Sequence, residues 1–392
     1  MPVNFQQIQQ QIRELGQKAP QRQAELHDRL QQARQWLENY AGREEELTQR
    51  VDQALAKNPG LRCAIPTHEG LLQRFPLPQT VQPQALLAAD GSQVNPDRHD
   101  AFEFGVVNVG VFRLCPGQAQ TPQEIVRSHL LYFEDLEQPD GPLTEEIVAL
   151  MRDLNERRVL AELAAGEGPP VVTLTDGPLE LFREPKDRSQ FQRLFQDYLN
   201  ELNKLAALGA VTAGYVDRPR SDLVVRLLEL TGLPDDRLEQ AGQVRLLPGV
   251  VDTGLYENRL EPGERSPVFA IQSPSAKRFE GVLALHFFYL NVGRPGKPYL
   301  TRVEIPAWVV ANPPLLQLLH AVLVAQCQQI GSRPYPYAIH RAHEVAVVSR
   351  VEKEHLQNMI AVELLHQGVN PGELSNKQLY KEQSGSRTRY KR

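Results

Sequence analysis

Two apolar runs in this chain end alike. ALLAAD (85–90) closes on Asp90 and is followed by Gly91-Ser92; PVVTLT (170–175) is followed by Asp176 and Gly177-Pro178. Each run is short and apolar, as a buried strand requires. A glycine after each lets the backbone turn, so each predicts a strand with a carboxylate exposed at its end. Singly, Asp-Gly is an ordinary turn signal. Two of them at equivalent strand ends are more informative, because one sheet can carry both to one edge.

The segments around these runs give the order. FEFGVVNVGVFRL (102–114), SHLLYFED (128–135) and GAVTAGYV (209–216) predict three more strands. Helical spacing runs from Leu143 to Ala165, over 188–207, and from Leu223 to Leu230. The resulting order is β, β, β, α, β, α, β, α. Loops join the first three strands and helices join the rest. That predicts an antiparallel portion continuing into a parallel one, an α/β mixed sheet flanked by helices. LALHFFYLNV (283–292) and YLTRVEIP (299–306) add strands within a β-rich insertion over 235–312. A helix over 314–330, a turn at SRPYPY, a strand-like AVVS and a last helix over 351–366 complete the reading.

The ends differ from the middle. Phe5, Ile8, Ile12 and Leu15, then Leu26, Leu30, Ala33, Leu37 and Tyr40, step by threes and fours on either side of a break expected at Pro20. Leu47, Val51 and Leu55 extend the stripe, which predicts a helical, coiled-coil-like arm over 1–58. The arm serves either packing on its own domain or docking to another chain. Pro66, Pro76, Pro78 and Pro83 mark 59–84 as a Pro-rich linker before a domain over 85–366. Residues 367–392 form a basic tail. Six cations against Glu382 give its last 17 residues +5, so the rest of a chain of net charge -5 carries -10. That balance argues against a uniformly basic nucleic-acid binder.

Cys63, Cys115 and Cys327 are the only cysteines, with no CxxC, which excludes a disulfide framework or cysteine zinc site and fits a cytoplasmic location. No apolar stretch is long enough for a membrane span, and MPVNFQQIQQQ lacks a signal peptide's apolar core.

Between the two aspartates, MRDLNERRVL places Glu156 on the helix that precedes the second run. Glu145, Glu146 and Glu162 compete with it, and an i,i+4 ion pair with Arg152 is its plain structural explanation. Near the C-terminus, GSRPYPYAIHRAHEVAVVS (331–349) clusters Tyr335, Tyr337, His340, Arg341, His343 and Glu344. Gathered carboxylates suit hard divalent cations, and two such cations can drive phosphodiester hydrolysis.

Three acids on a first strand, a first helix and a fourth strand resemble the ribonuclease-H-like nuclease fold. AADGSQV, the Arg-x-x-x-Glu helix, VVTLTDGPL and YPYAIHRAHEVAVVS in this order, with HFFYLNVG and RVEIPAW, resemble the NurA family over roughly 80–365. The resemblance implies a DNA nuclease, an exonuclease and single-strand endonuclease in double-strand-break end resection. It also implies Mn2+ or Mg2+ as cofactor, a homodimer, and a HerA-type hexameric ATPase as partner. Carried over residue by residue, it implies metal ligands Asp90, Glu156, Asp176 and His343, with Tyr335 as a fifth catalytic residue. His343 lies eight residues after Tyr335, the family's spacing; His340 does not. Relatives carry a lysine near the fifth strand, where this chain reads GYVDRP and offers Arg218. A non-catalytic DNA-binding or ATPase-adaptor protein on the same fold, and an RNA-directed enzyme, are the alternatives.

Overall fold

A computed structural model of the chain describes residues 4–79, 82–138, 141–181, 189–331 and 333–370. In chain order its main elements are α1 (Phe5–Asn39), α2 (Glu44–Lys57), β1 (Cys63–Pro66), β2 (Ala85–Val94), β3 (Gly105–Leu114) and β4 (Gln123–Leu131). A small pair, β5 (Glu137–Gln138) and β6 (Gly141–Pro142), precedes α3 (Glu145–Ala164), β7 (Val171–Asp176), α4 (Ser189–Ala207) and β8 (Val211–Val216). Then come α5 (Leu223–Thr231), α6 (Asp252–Tyr256), β9 (Phe269–Gln272), β10 (Leu285–Asn291) and β11 (Leu300–Pro306). The chain continues with α7 (Ala307–Val310), α8 (Pro313–Gln328), α9 (Tyr337–Ala346) and α10 (Arg350–His366). Most of the tail lies outside the described residues. No described helix is long and apolar enough to cross a membrane.

The chain forms two compact units. The first holds Met1–Val81, Gly177–Leu181 and Ala213–Tyr335; the second holds Gln82–Asp176, Phe182–Thr212 and Pro336–Arg392.

In the second unit β2, β3 and β4 are antiparallel neighbours, and β7 runs parallel to β2 on its other side. Thr212, at the start of β8, meets Thr173 of β7 through their hydroxyls at 2.9 Å. This antiparallel-then-parallel order is the one that the element order predicts, and it fits the ribonuclease-H-like fold that the three acids resemble. The helix between β4 and β7 is α3. It buries Ile147, Leu150 and Leu154 but also Arg157, whose Nε donates to Tyr198 Oη of α4 at 3.3 Å.

β2 departs from expectation at its end. Gly91-Ser92 does not stop it; it continues to Val94, paired with β3 through Val94↔Val106. Asp90 is therefore a mid-strand residue. Gly91 serves close approach in place of a turn: a Cβ there would lie 2.4 Å from Arg152 Cγ and 2.7 Å from Glu156 Oε1. β4 also begins earlier than SHLLYFED suggests, because it is an exposed, polar strand with no apolar run to mark it.

In the first unit the strand order is β1-β9-β10-β11-β8. β1 lies within the segment read as a linker and pairs antiparallel with β9. The β-rich stretch 235–312 thus supplies three of this unit's strands. Pro20 does not break α1, which runs unbroken from Phe5 to Asn39. A proline there removes one backbone donor, and on a solvated helix water satisfies the carbonyl left behind. The arm's stripe divides: Ala33, Leu37, Leu47 and Val51 are buried, while Phe5, Ile8, Ile12 and Leu15 are exposed.

Candidate active site

The second unit brings together three of the five residues singled out in the sequence, and a fourth by register. Asp90 lies on β2 and Asp176 ends β7. The parallel register Ala88↔Leu174, Ala89↔Thr175 sets the two aspartates side by side at adjacent strand positions. Gly177 follows with φ at +81°, a conformation glycine adopts without strain.

α9 brings His343 to this place. AVVS does not form a strand; Ala346 ends a helix whose buried positions Ile339, Ala342 and Ala346 follow helical spacing. Three residues of the sheet seat its last turn. Asn108 Nδ2 and Ser92 Oγ both donate to the Ala346 carbonyl, at 2.7 and 2.5 Å. Gly110, the partner of Asp90 across β2 and β3, leaves the space. A Cβ on Gly110 would stand 2.5 Å from Ala346 N and 2.6 Å from Ala342 O. Nothing in the chemistry of the acids points to these three residues. The one signal is a glycine interrupting the valine-rich run GVVNVGVF.

His343 Nδ1 lies 2.6 Å from Asp90 Oδ2, while Asp90 Oδ1 accepts from the Gly91 amide at 2.8 Å. An ionised Asp90 accepts only, so Nδ1 carries a hydrogen, and in a neutral imidazole that leaves Nε2 as the acceptor. His340 has no part in this pairing. One helical turn away, it sits 3.6 Å from Glu344.

Of the four glutamates weighed on α3, only Glu156 is buried. Its ion-pair partner, as the i,i+4 spacing predicts, is Arg152, at 3.7 Å. Arg152 is turned to Asp153 instead, donating from Nη2 at 2.8 Å. Burial foremost, then the charge of Asp153, push the Glu156 carboxyl well above the usual carboxylate range; Arg157 and Arg152 oppose this, and Asp90 adds to it. Asp153 was not singled out in the sequence, although it adjoins Arg152 in MRDLNERR.

Tyr335 belongs to the first unit, where its ring stands edge-on to Tyr215 with centroids 5.5 Å apart. Arg218 is also there, and its Nε donates to Tyr299 Oη at 3.1 Å.

Among the described residues no three His, Cys, Asp or Glu side chains gather at metal-holding distance. The donors nevertheless suit a hard divalent cation in kind: carboxylate oxygens and one imidazole. Asp90, Asp153 and Glu156 crowd negative charge around one buried carboxyl. A bound cation relieves that repulsion.

A model of the NurA domain matches residues 84–348. Among solved structures, the NurA nuclease from Sulfolobus solfataricus aligns over 76% of this chain and 88% of its own, at 13% identity and a TM-score of 0.48. The catalytic domain of human endonuclease V aligns over 71% and 84%, at 14% identity and a TM-score of 0.31. LC9-RNase H1, a type 1 RNase H, covers 52% of this chain and 93% of its own, at 16% and 0.22. No curated protein matches the chain. The domain match spans well over half of the residues, and on that ground the chain belongs to the NurA family, a family of nucleases.

Proposed function

We propose that the chain is a metal-dependent deoxyribonuclease that hydrolyses phosphodiesters at DNA ends, as an exonuclease and on single strands as an endonuclease. The observation that carries this is the pairing of His343 with Asp90, with the buried Glu156 packed against the neighbouring Gly91, inside a NurA domain. In this reading Asp90, Glu156, Asp176 and His343 hold the metal, manganese or magnesium, with the imidazole favouring manganese. When bound, such a cation activates water and neutralises charge at the phosphate.

The chain's own side chains do the rest. Asp90 fixes the tautomer and direction of His343, leaving Nε2 to bind the metal or take a proton. Arg152 limits the repulsion between Asp153 and Glu156 before substrate arrives. Tyr335, braced by Tyr215, orients a phosphate or water. Family membership brings four further parts of the proposal: a homodimer, a HerA-type hexameric ATPase as partner, a cytoplasmic location, and work in double-strand-break end resection.

The test is purified protein with end-labelled DNA in Mn2+, Mg2+ or EDTA. Cleavage is expected with Mn2+ and absent in EDTA and in Asp90→Asn. A second readout is independent of turnover: Mn2+ should raise the melting temperature of wild type and leave that of Asp90→Asn unchanged. Full cleavage in EDTA or by Asp90→Asn overturns the reading. RNA cut in preference to DNA overturns the substrate.

A further inference from the structure

The first unit contains a cavity of about 740 Å³ lined by residues from three separate segments of the chain. Asp217 and Arg218 follow β8, Gly293–Tyr299 joins β10 to β11, and Arg333 and Tyr335 precede α9. The volume is typical of ligand sites. Its charge is not typical of this acidic chain: Arg218, Arg294, Lys297 and Arg333 face it against the single carboxylate of Asp217.

Two of these cations are set by a built turn. In Arg294-Pro295-Gly296-Lys297 the Arg294 amide donates to the Lys297 carbonyl at 3.1 Å, and the Lys297 amide donates back at 2.9 Å. Gly296 has φ at +75° after a proline, the pattern of a type II turn. Beneath it, Asn291 Oδ1 accepts from the amides of Gly293 and Tyr299, at 2.9 and 3.1 Å. Gly293 is compelled by this closure, since a Cβ would stand 2.4 Å from both Lys297 O and Tyr299 N. The turn therefore presents Arg294 and Lys297 from a fixed backbone. The Arg294 guanidinium bonds the Gly331 carbonyl, which ties the turn to the segment that bears Arg333.

The partners of the charges differ. Arg218 is committed: its Nε donates to Tyr299 Oη, which donates in turn to Asp217 at 2.7 Å. Among the described residues, the side chains of Lys297 and Arg333 have no anionic or hydrogen-bonding partner. The two tyrosines are held by their own neighbours, Tyr299 through its hydroxyl and Tyr335 edge-on against Tyr215. Fixed aromatic rings beside exposed, unsatisfied cations form the arrangement that binds single-stranded nucleic acid: cations take phosphates and rings stack bases.

We propose that this cavity is a single-strand seat, in which Lys297 and Arg333 take successive phosphates and Tyr299 stacks a base. The inference rests on the nucleic-acid reading above but requires no cleavage. It assigns single-strand recognition to the β10–β11 turn and leaves the chemistry to the carboxylates on β2 and α3.

The experiment is fluorescence anisotropy of a labelled oligothymidylate with the full chain in EDTA, across a salt series. Lys297→Ala with Arg333→Ala should weaken binding about tenfold and flatten the log–log salt slope by about 0.7 for each phosphate no longer neutralised. Tyr299→Leu should weaken binding without changing the slope. Lys18→Ala with Arg22→Ala, a neutralised pair on α1, should bind as wild type. Wild-type affinity and slope in the Lys297/Arg333 variant overturn the proposal. So does an equal weakening in the α1 variant, which makes the effect one of net charge, or equal competition by duplex, which removes the stacked base. The assay contains no metal and reads binding without turnover, so failure of the nuclease reading and failure of the seat give different results.

Discussion

Glu69 and Glu156 are both buried glutamates, one in each unit, and their surroundings are opposites. Glu69 accepts a two-pronged pair from Arg265, at 2.8 and 2.9 Å, and a third bond from the Val268 amide at 2.7 Å. The Arg265 guanidinium lies 3.7 Å above the Phe75 ring centroid. Every charge there is answered by a fixed geometry. Glu156 has Arg157 and Arg152 acting on it, the latter at 3.7 Å, but also the opposing charges of Asp153 and Asp90. Burial alone therefore does not mark a working carboxylate. The distinguishing feature is how completely its charge is answered by the protein, since an under-answered one is left for something that binds.

Substitutions can break or sharpen that contrast, and they should differ in sign. Glu69→Gln leaves the buried Arg265 without its counter-charge. It should cost about 3–5 kcal/mol in urea unfolding while changing no catalytic group. Gly110→Ala should cost about 1–3 kcal/mol, since the added methyl meets backbone of α9. The same displacement should carry His343 off Asp90 and lower nuclease rate more than Glu69→Gln does at a temperature where both variants are folded.

Glu156→Gln should raise stability. The folded-state carboxyl binds its proton more tightly than the unfolded one, so wild type loses stability as pH rises from the ordinary glutamate range through the raised value. A glutamine has no such loss. Melting curves of the two proteins should converge in acid and separate toward neutral pH, with the variant higher and inactive. If the variant melts lower throughout, Glu156 is a structural ion pair like Glu69. The smallest effect is expected from His340→Ala. Its melting temperature and its manganese dependence should match wild type, whereas His343→Ala should lose most cleavage and recover part of it at high manganese. The reverse result moves the late ligand to His340.

The succession of elements was legible because buried strands in the second unit, such as β2 and β7, are continuous apolar runs, and α3 keeps its period through Ile147, Leu150 and Leu154. β4 was blurred because an exposed strand has no apolar face to declare itself. The nearness of His343 to Asp90 was legible only through a family pattern, since 253 positions of chain separate them. The seating of α9 was not, because Asn108, Ser92 and Gly110 act through a helix more than two hundred residues away. Gly91 was read as the end of a strand because glycine's tolerance of turns and its lack of a side chain leave the same letter in the sequence.

His343 meets Asp90 across 253 positions of chain. During synthesis the strand that bears Asp90 emerges first, and the helix that bears His343 follows only after the long span of chain between them. A nascent or prematurely terminated polypeptide therefore has the acids but not the imidazole or its support. The pairing of His343 with Asp90 forms only after both ends of that span have left the ribosome, and it closes a long loop of chain as it forms.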